Sequence, residues 1–312
     1  WVAYTHQNNA YIAPLLETGR QQTVGTKTGG LPVAQVSSRA GEYLHWSADS
    51  RQLHWSHAAT LFSRELNQAF SFLDGAPEEL PEPVAEGLNL SFATAADKPA
   101  STIALVGGQV VTMRNADSEQ EVIENGVVVV EQNRIVAVGK VGEVTIPAGA
   151  KRVDVTGKTL VPGLIDAHAH GAQANSGIIP QQNWKNLSSL AFGVTTIHDP
   201  SNNSSEIFSA SEMQRSGQIL APRLFSTGTI VYGANSPRAH ATIDSYEDAF
   251  FHLQRLKDMG AISIKSYNQP RRNQRQQVLK AARDLRLMVV PEGGGKLYQN
   301  MSMMADGHTT LE

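Results

Sequence analysis

Apolar and polar residues alternate in short runs along the first part of the chain, a pattern that predicts β-strands. Residues 42–66, EYLHWSADSRQLHWSHAATLFSREL, hold two short aromatic-rich strands around a turn at residues 48–50, followed by a third strand. A single weak internal repeat relates AYTHQNNAYIA to HWSHAATLFSR about fifty residues further on, with Tyr4 matching Trp55 and Tyr11 matching Phe62. That offset lies within the period range of β-propeller blades, although an antiparallel sandwich gives the same alternation. We expect residues 1–75 to be all-β, with the choice between these architectures open.

Two changes of composition follow the all-β segment. The stretch GAPEELPEPVAEG (75–87) is rich in Pro and Glu. This composition predicts a linker over residues 76–99. Residues 100–160 then carry Val- and Ile-rich runs, STIALVGGQVVTMRN and VIENGVVVVEQNRIVAVGK, which predict a second β segment. Asn125-Gly126 and Gln132-Asn133 lie between such runs, and we expect both dipeptides to form hairpin connections.

From residue 161 onward, short apolar strands alternate with longer helical stretches. The predicted strands are GVTTIHDP (193–200), PRLFSTG (222–228), AISIKSYNQ (261–269) and LMVVPEGG (287–294). Between them, SYEDAFFHLQRLKDMG and RNQRQQVLKAARDLR carry apolar residues at helical spacing, for example Val278, Leu279, Ala282 and Leu285. Repeated βα units at this spacing predict a parallel sheet covered by helices, either an open α/β sheet or a (β/α) barrel.

Composition narrows the classes of partner and of metal ligand. A length of 312 residues suits two or three domains, and a net charge of −3 gives no electrostatic reason to expect nucleic acid or an anionic membrane as partner. The chain has no cysteine, so a metal would be held by His, carboxylate or lysine-derived ligands. No apolar run approaches the roughly 20 residues of a membrane helix. The first residues read as mid-strand, without initiator Met or signal peptide, and we expect the natural chain to begin further upstream.

Two histidines follow the apolar run LVPGLID. Because residues i, i+2 and i+4 of a strand share a face, Asp166, His168 and His170 are expected to point the same way, with small alanines between them. They stand at the carboxyl end of the first βα-type strand, where barrel enzymes build their sites. Two imidazoles about 7 Å apart along a strand can chelate one metal ion or flank a pair. The alternative is a pair of polar side chains satisfied by backbone or water at a strand end.

VPGLIDAHAH resembles the first-strand signature of the amidohydrolase superfamily of metal-dependent hydrolases. The lead-in ENGVVVVEQNRIVAVG with GKTLVPGLID resembles the small β-sandwich that precedes the barrel in that family, so the resemblance covers roughly residues 103–312. With its propeller-like start, the chain resembles bacterial proteins that fuse a TolB-like β-propeller to an amidohydrolase. The resemblance implies a multidomain fold: the end of a propeller over 1–75, a linker over 76–99, a β-sandwich over 100–160, and an incomplete (β/α)8 TIM-type barrel, strands one to about six, over 161–312.

The resemblance also implies further metal ligands. A lysine on the fourth strand of the family's barrel is often carboxylated and bridges two divalent ions, and Lys265 of AISIKSYNQ matches that position. Strand alternation would place Lys265 on one face with Ser263 and Tyr267, inside a barrel where an unpaired cation is costly; otherwise the amine reaches solvent from the strand end. The fifth strand usually supplies a histidine, but here Glu292 of VVPEGGG stands in its place. A carboxylate can bind zinc or a harder ion such as manganese, unless Glu292 is a supporting group or an ordinary loop acid.

Parts of the family's site are not expected in this chain. The family needs a histidine at the end of the sixth strand and an aspartate after the eighth, usually the proton-transfer group, whereas the sequence stops at DGHTTLE, within the expected sixth strand. His308 stands at the start of that segment, at the wrong end of a barrel, and is not a candidate ligand. The catalytic residue is therefore unknown, and a chain that truly lacked the remaining strands is expected to be inactive.

Four more residues are weaker candidates for substrate binding. His198 ends the second strand together with Asp199, where either side chain could contact substrate or orient a ligand, or serve turn chemistry before proline. Arg271 and Arg272 begin a predicted helix, where positive charge opposes the helix dipole, so they are either a fork for a substrate carboxylate or solvated surface residues. Tyr267 could donate a hydrogen bond to a tetrahedral intermediate, with packing as the equal alternative.

The resemblance implies a metal-dependent hydrolase of amide, cyclic amide or dipeptide C–N bonds, which uses a metal-activated water. The implied cofactor is a divalent metal, most simply one or two zinc ions, with manganese or iron as alternatives, held by His168, His170, Lys265 and Glu292. A small molecule or dipeptide is the expected partner, together with a second copy of the chain or its missing remainder. The bacterial periplasm or a secreted location is slightly favoured. The alternatives are a non-catalytic, propeller-based binding or scaffolding protein with a degenerate barrel, and a purely structural metal.

Overall fold

A computed structural model describes residues 1–27, 29–114, 121–232, 241–267, 269 and 271–311. The first part of the chain forms two antiparallel sheets. Strands β1 (Val2–His6), β2 (Asn9–Ala13) and β3 (Ala34–Gln35) make a three-stranded sheet; β4 (Glu42–Trp46), β5 (Gln52–His57), β6 (Thr60–Glu65) and β7 (Leu88–Asn89) make a four-stranded one. The turn expected at residues 48–50 joins β4 to β5, and a short 3-10 helix, Leu66–Gln68, follows β6. The all-β prediction for this segment is therefore confirmed.

The internal repeat corresponds to two similar β-hairpins. Tyr4 on β1 lies opposite Tyr11 on β2, with the rings stacked at 5.6 Å between centroids. Trp55 on β5 lies opposite Phe62 on β6 in the same way, with a centroid distance of 6.0 Å. The repeat in the sequence is thus a repeat of cross-strand aromatic pairs, which stabilise hairpins by packing on one face. The assignment of this segment to a propeller stays a prediction.

The second β segment is one mixed sheet of five strands. They are β8 (Thr102–Val111), β9 (Val122–Glu131), β10 (Arg134–Lys140), β11 (Lys151–Asp154) and β12 (Thr159–Leu160). The strand order is β10-β9-β8-β11, and β12 also pairs with β8. β9 is antiparallel to both of its neighbours, whereas β11 and β12 run parallel to β8. Because all five strands share one hydrogen-bonded sheet, the two facing layers of a sandwich remain a prediction.

One of the two expected hairpin connections is correct and the other is wrong. Gln132-Asn133 joins β9 to β10, and both residues have the positive φ of 47° and 63° that a two-residue hairpin turn favours. Asn125-Gly126 instead lies inside β9, where the register to β8 shifts and Asn125 has a φ of 49°. A Cβ on Gly126 would lie 2.5 Å from the side chain of Val110. The glycine therefore permits a close approach of two strands, not a turn between them.

The remainder of the described chain alternates parallel strands with helices, as predicted. Its strands are β13 (Leu164–Asp166), β14 (Val194–Asp199), β15 (Arg223–Ser226), β16 (Ser263–Tyr267) and β17 (Met288–Pro291); its helices are α1 (Trp184–Ala191), α2 (Ser204–Ser216), α3 (Tyr246–Met259), α4 (Arg272–Leu285) and α5 (Leu297–Asp306). β13, β14 and β15 form one parallel sheet, and β16 and β17 form another. The amide of Val231 donates to the carbonyl of Lys265 at 2.8 Å, so the chain after β15 runs beside β16. Closure into an eight-stranded barrel stays a prediction.

Apolar residues pack between these strands and their helices to form the largest core. Ile197 on β14 and Ile264 on β16 are buried, and so is Leu256 on α3. The residues predicted to line one face of α4, Val278, Leu279, Ala282 and Leu285, all belong to the same cluster. Each fully buried large aliphatic side chain contributes about 1.5–3 kcal/mol, so this core fixes the ends of the parallel strands firmly. No helix within the described ranges is long and apolar enough to cross a membrane.

Candidate active site

His168 and His170 lie directly after β13 and face each other. The strand ends at Asp166, before either histidine, so strand alternation does not determine where the two rings point. The carboxylate of Asp166 instead accepts a hydrogen bond from the amide of His168 at 3.1 Å, and the amide of Ala169 donates to the carbonyl of His198 at 3.0 Å. The resulting bend brings the two Nε2 atoms to 2.9 Å. The sequence anticipated a pair of imidazoles, whereas the local bend produces their convergence.

The buried carboxylate of Asp199, at the end of β14, holds the ring of His170. His170 Nδ1 lies 3.3 Å from Asp199 Oδ1. Because an ionised carboxylate can only accept, this geometry favours the tautomer with the proton on Nδ1 and the lone pair on Nε2. The amide of Ser201 donates to the same carboxylate at 3.0 Å, and Asn202 Nδ2 donates to it at 2.7 Å. A histidine whose second nitrogen is oriented by a carboxylate is the usual arrangement of a metal-binding imidazole.

The substitution Asp199→Asn tests this supporting role. We expect it to weaken zinc binding by about 10–100-fold, because the amide no longer favours the Nδ1-protonated tautomer and also faces the amide of Asn202. Competition with a chromophoric chelator measures that affinity, and thermal unfolding reports stability in parallel. Asp154→Asn is the matched control, since the Asp154 carboxylate also accepts two hydrogen bonds, from Thr156, at an exposed turn. Unchanged zinc affinity in Asp199→Asn would refute the orienting role.

Lys265 and Glu292 form the second element of the site. The side chain of Lys265, on β16, is 1% exposed, and its Nζ lies 2.7 Å from Oε2 of Glu292, which follows β17 and is 38% exposed. Burial of a cation is costly unless a counter-charge accompanies it, and Glu292 supplies that charge. The predicted alternative, in which the amine reaches solvent from the strand end, is wrong. The structure thus pairs the two residues that the sequence singled out on the fourth and fifth of these strands.

His198 connects the strands that carry the two pairs. Its Nε2 lies 2.7 Å from the hydroxyl of Ser263 on β16, and its Nδ1 lies 3.3 Å from the carbonyl of Ala167, beside His168. The side chain therefore spans from β14 to β16 and also to the loop after β13. Among the described residues, no group of three or more His, Cys, Asp or Glu side chains is placed to hold a metal ion. The substrate role expected for His198 stays a prediction.

Tyr267 departs from the expected strand alternation. It has a φ of 50°, in the left-handed region that costs a non-glycine residue, and the pairing of β16 with β17 shifts register between Lys265 and Tyr267. Its ring contacts Tyr232 edge to face, with 5.2 Å between centroids. Strained residues of this kind concentrate at functional sites. A role for Tyr267 in substrate binding stays a prediction, and Tyr232 is a neighbour that no motif in the sequence indicated.

The two arginines at the start of α4 have carboxylate partners within the chain. The guanidinium of Arg272 donates to Asp306 of α5 through Nε and Nη2, at distances down to 2.6 Å. These hydrogen bonds hold the pKa of the Asp306 carboxyl below its usual range. Arg272 is therefore occupied by its own chain, and the fork expected for a substrate carboxylate is not available in this arrangement. Arg271, half-exposed, lies 3.8 Å from Asp244, and its substrate role stays a prediction.

Parts of the chain are similar to enzymes of known activity. No family model matches the chain. A stretch of 72 residues is 46% identical to an imidazolonepropionase of Fusobacterium nucleatum, and covers 20% of this chain and 17% of that protein. A stretch of 70 residues is 39% identical to a 5-methylthioadenosine/S-adenosylhomocysteine deaminase of Symbiobacterium thermophilum, and covers 22% of this chain and 15% of that protein. The chain therefore aligns with less than a fifth of each of these relatives.

Solved structures give longer but more distant matches. A structure described as a prolidase of Bifidobacterium longum superposes with a TM-score of 0.58 at 23% identity, over 68% of this chain and 54% of that one. A Xaa-Pro dipeptidase with methionine in its active site superposes with a TM-score of 0.53 at 15% identity, over 68% and 61%. At these identities the likeness shows a shared fold, and this chain spans little more than half of either structure. Together with the two sequence matches, it supports the resemblance to the amidohydrolase superfamily.

Proposed function

We propose that this chain is part of a metal-dependent hydrolase of the amidohydrolase superfamily, which cleaves the C–N bond of an amide, a cyclic amide or a dipeptide. The proposal goes beyond the similarities themselves, because each relative is matched over only part of its length. Support comes from relatives that include a deaminase and structural neighbours that include a dipeptidase. It also comes from side chains at the carboxyl ends of the parallel strands, where enzymes of this architecture act.

The convergence of His168 and His170 carries the proposal. Two nitrogens bound to one tetrahedral zinc ion at about 2.0–2.1 Å lie roughly 3.3 Å apart. The observed Nε2 separation of 2.9 Å is close to that value. The carboxylate of Asp199 leaves a lone pair on Nε2 of His170, as a ligand requires. The donor set therefore fits a divalent ion, which when bound supplies a Lewis acid and lowers the pKa of a water molecule towards neutrality.

Lys265 and Glu292 complete the proposed donor set. If the ammonium of Lys265 gives up a proton to solvent, the free amine can add to carbon dioxide and release a second proton, which leaves an anionic carbamate. The ion pair with Glu292 then becomes two like charges. Two negative charges in contact repel each other unless a cation lies between them. Carboxylation of Lys265 and metal binding by Glu292 therefore favour each other. In the structure as described, the positive amine takes the place of that cation.

A direct test uses the protein that carries this chain at its natural length. Elemental analysis of the purified protein is expected to find at least one equivalent of zinc, manganese or iron, and hydrolysis is expected on a panel of dipeptides and lactams. Chelator treatment followed by return of the metal separates metal dependence from contamination. A metal-free protein that still hydrolyses the panel would refute the metal mechanism. A metal-containing protein that binds the panel without turnover would favour the alternative of a structural metal.

A further inference from the structure

A cavity lies at the opposite end of the parallel strands from the histidines. It has a volume of about 480 Å³, within the range of small-molecule sites. Arg223, the first residue of β15, lines one side of the cavity. Gly260, between α3 and β16, lines another. Because parallel strands begin at this end and the imidazoles follow their carboxyl ends, the cavity is distinct from the candidate active site.

Four cationic side chains line this cavity: Lys98, Arg134, Arg215 and Arg223. No aspartate or glutamate is among its described lining residues. Within the described ranges, none of the four forms an ion pair or a side-chain hydrogen bond. The whole chain has 26 Lys and Arg against 29 Asp and Glu, so an acid-free cluster of four cations is unlike its average surface. Like charges repel, and such a cluster is best stabilised by a bound anion.

Short connections fix the backbone from which these cationic side chains extend. Arg134 directly follows the two-residue turn between β9 and β10. Lys98 follows Asp97, whose amide donates to the carbonyl of Ser216 at the end of α2, at 2.7 Å. Arg215 lies in the last turn of α2, where the helix dipole favours a cation. Three separate parts of the chain thus converge on one cavity, each anchored through its backbone.

Aromatic and aliphatic side chains form the rest of the wall. The ring of Phe208 is buried, whereas Phe225 on β15 keeps 38% of its surface exposed. Leu224, Met259 and Ile262 add to the apolar side. Guanidinium groups match the oxygens of a phosphate in pairs, and a phosphate at neutral pH carries between one and two negative charges. The combination of three arginines, a lysine and an exposed ring suits a phosphate joined to an apolar group.

We propose that this cavity binds a phosphate group, either free phosphate or a phosphate monoester whose organic part packs on Phe225. Isothermal titration at constant ionic strength with inorganic phosphate and with phenyl phosphate tests it. Both ligands are expected to bind saturably, and phenyl phosphate more tightly if the natural ligand is an ester. Phe225→Ala is then expected to weaken phenyl phosphate alone. Equal affinities, both unaffected by Phe225→Ala, would assign the site to free phosphate.

Charge-removing variants make the test specific. Arg134→Gln and Arg223→Gln are each expected to weaken phosphate binding about tenfold, the value of one charge-assisted hydrogen bond. Arg152→Gln, at an exposed position on β11 that does not line the cavity, is expected to change nothing. His170→Ala is expected to retain phosphate binding, which separates this site from any metal centre. Absence of saturable binding, or equal binding by the double variant Arg134→Gln/Arg223→Gln, would overturn the proposal.

Discussion

Replacement of His170 by alanine is expected to remove bound metal and to lower kcat/KM by roughly 10³-fold or more. Loss of a residue that hydrogen-bonds to a metal ligand already costs about 10–100-fold in metal affinity or activity. His170 is proposed to be a ligand itself, so its loss is expected to cost more. Its removal would also leave the buried carboxylate of Asp199 without one of its hydrogen-bond donors. Metal content by elemental analysis and activity on the best substrate of the panel measure the effect.

A matched variant distinguishes this effect from a general loss of folding. His45 is an exposed histidine on β4, far in the sequence from the candidate site, and His45→Ala is expected to keep both metal and activity. A ligand that binds only the folded state stabilises it by about 4 kcal/mol at a thousand times its Kd. Return of zinc should therefore raise the Tm of the metal-free wild-type protein and of His45→Ala, but not of His170→Ala. A zinc-dependent rise in His170→Ala would contradict its role as a ligand.

Replacement of Lys265 by methionine is the second change with a large expected effect. We expect activity to fall by roughly 10³-fold, because methionine keeps most of the buried volume but can neither be carboxylated nor neutralise Glu292. Stability is expected to change by less than about 2 kcal/mol, because Glu292 is partly exposed and water can solvate it once the amine is gone. A large loss of activity with a small loss of stability is the result expected of a functional lysine.

Two further measurements examine the chemistry of Lys265. Isotopically labelled bicarbonate should give one carbamate signal in the wild-type protein, absent from Lys265→Met. Lys257→Met serves as the control, since Lys257 is also an ordered lysine, whose Nζ donates to the carbonyl of Leu285 at 2.9 Å. Lys257→Met is expected to retain the carbamate signal and the activity. Full activity in Lys265→Met would show that the Lys265–Glu292 pair is only structural.

Most of the secondary structure could be predicted from the spacing of apolar residues, because strands and helices repeat with different periods. The four strands and two helices expected after residue 190 lie where the pattern placed them, and Gln132-Asn133 forms the expected turn. The error at Asn125-Gly126 has a physical cause: the dipeptide suits a turn, but here the missing side chain of Gly126 allows two strands to approach. The pairing of strands that are distant in sequence depends on tertiary packing, which a short stretch of sequence does not reveal.

Only part of the candidate site could be predicted from the sequence. His168, His170, Lys265 and Glu292 were indicated by the resemblance, and the structure brings them together as two pairs. The occupation of Arg272 by Asp306 could not be foreseen, because the two are 34 positions apart and belong to different helices. The strain at Tyr267 and its contact with Tyr232 likewise follow from the register of β16, which no local pattern reports.

The ion pair between Lys265 and Glu292 has a consequence for biosynthesis. A nascent polypeptide that placed two carboxylates side by side there would need a cation between them at the moment of folding, since like charges in contact repel each other. With the amine as an internal substitute, the fold can form first and be loaded afterwards. Under the proposed function, maturation of the protein would thereby be independent of the supply of metal and of carbon dioxide in the surroundings where it is made.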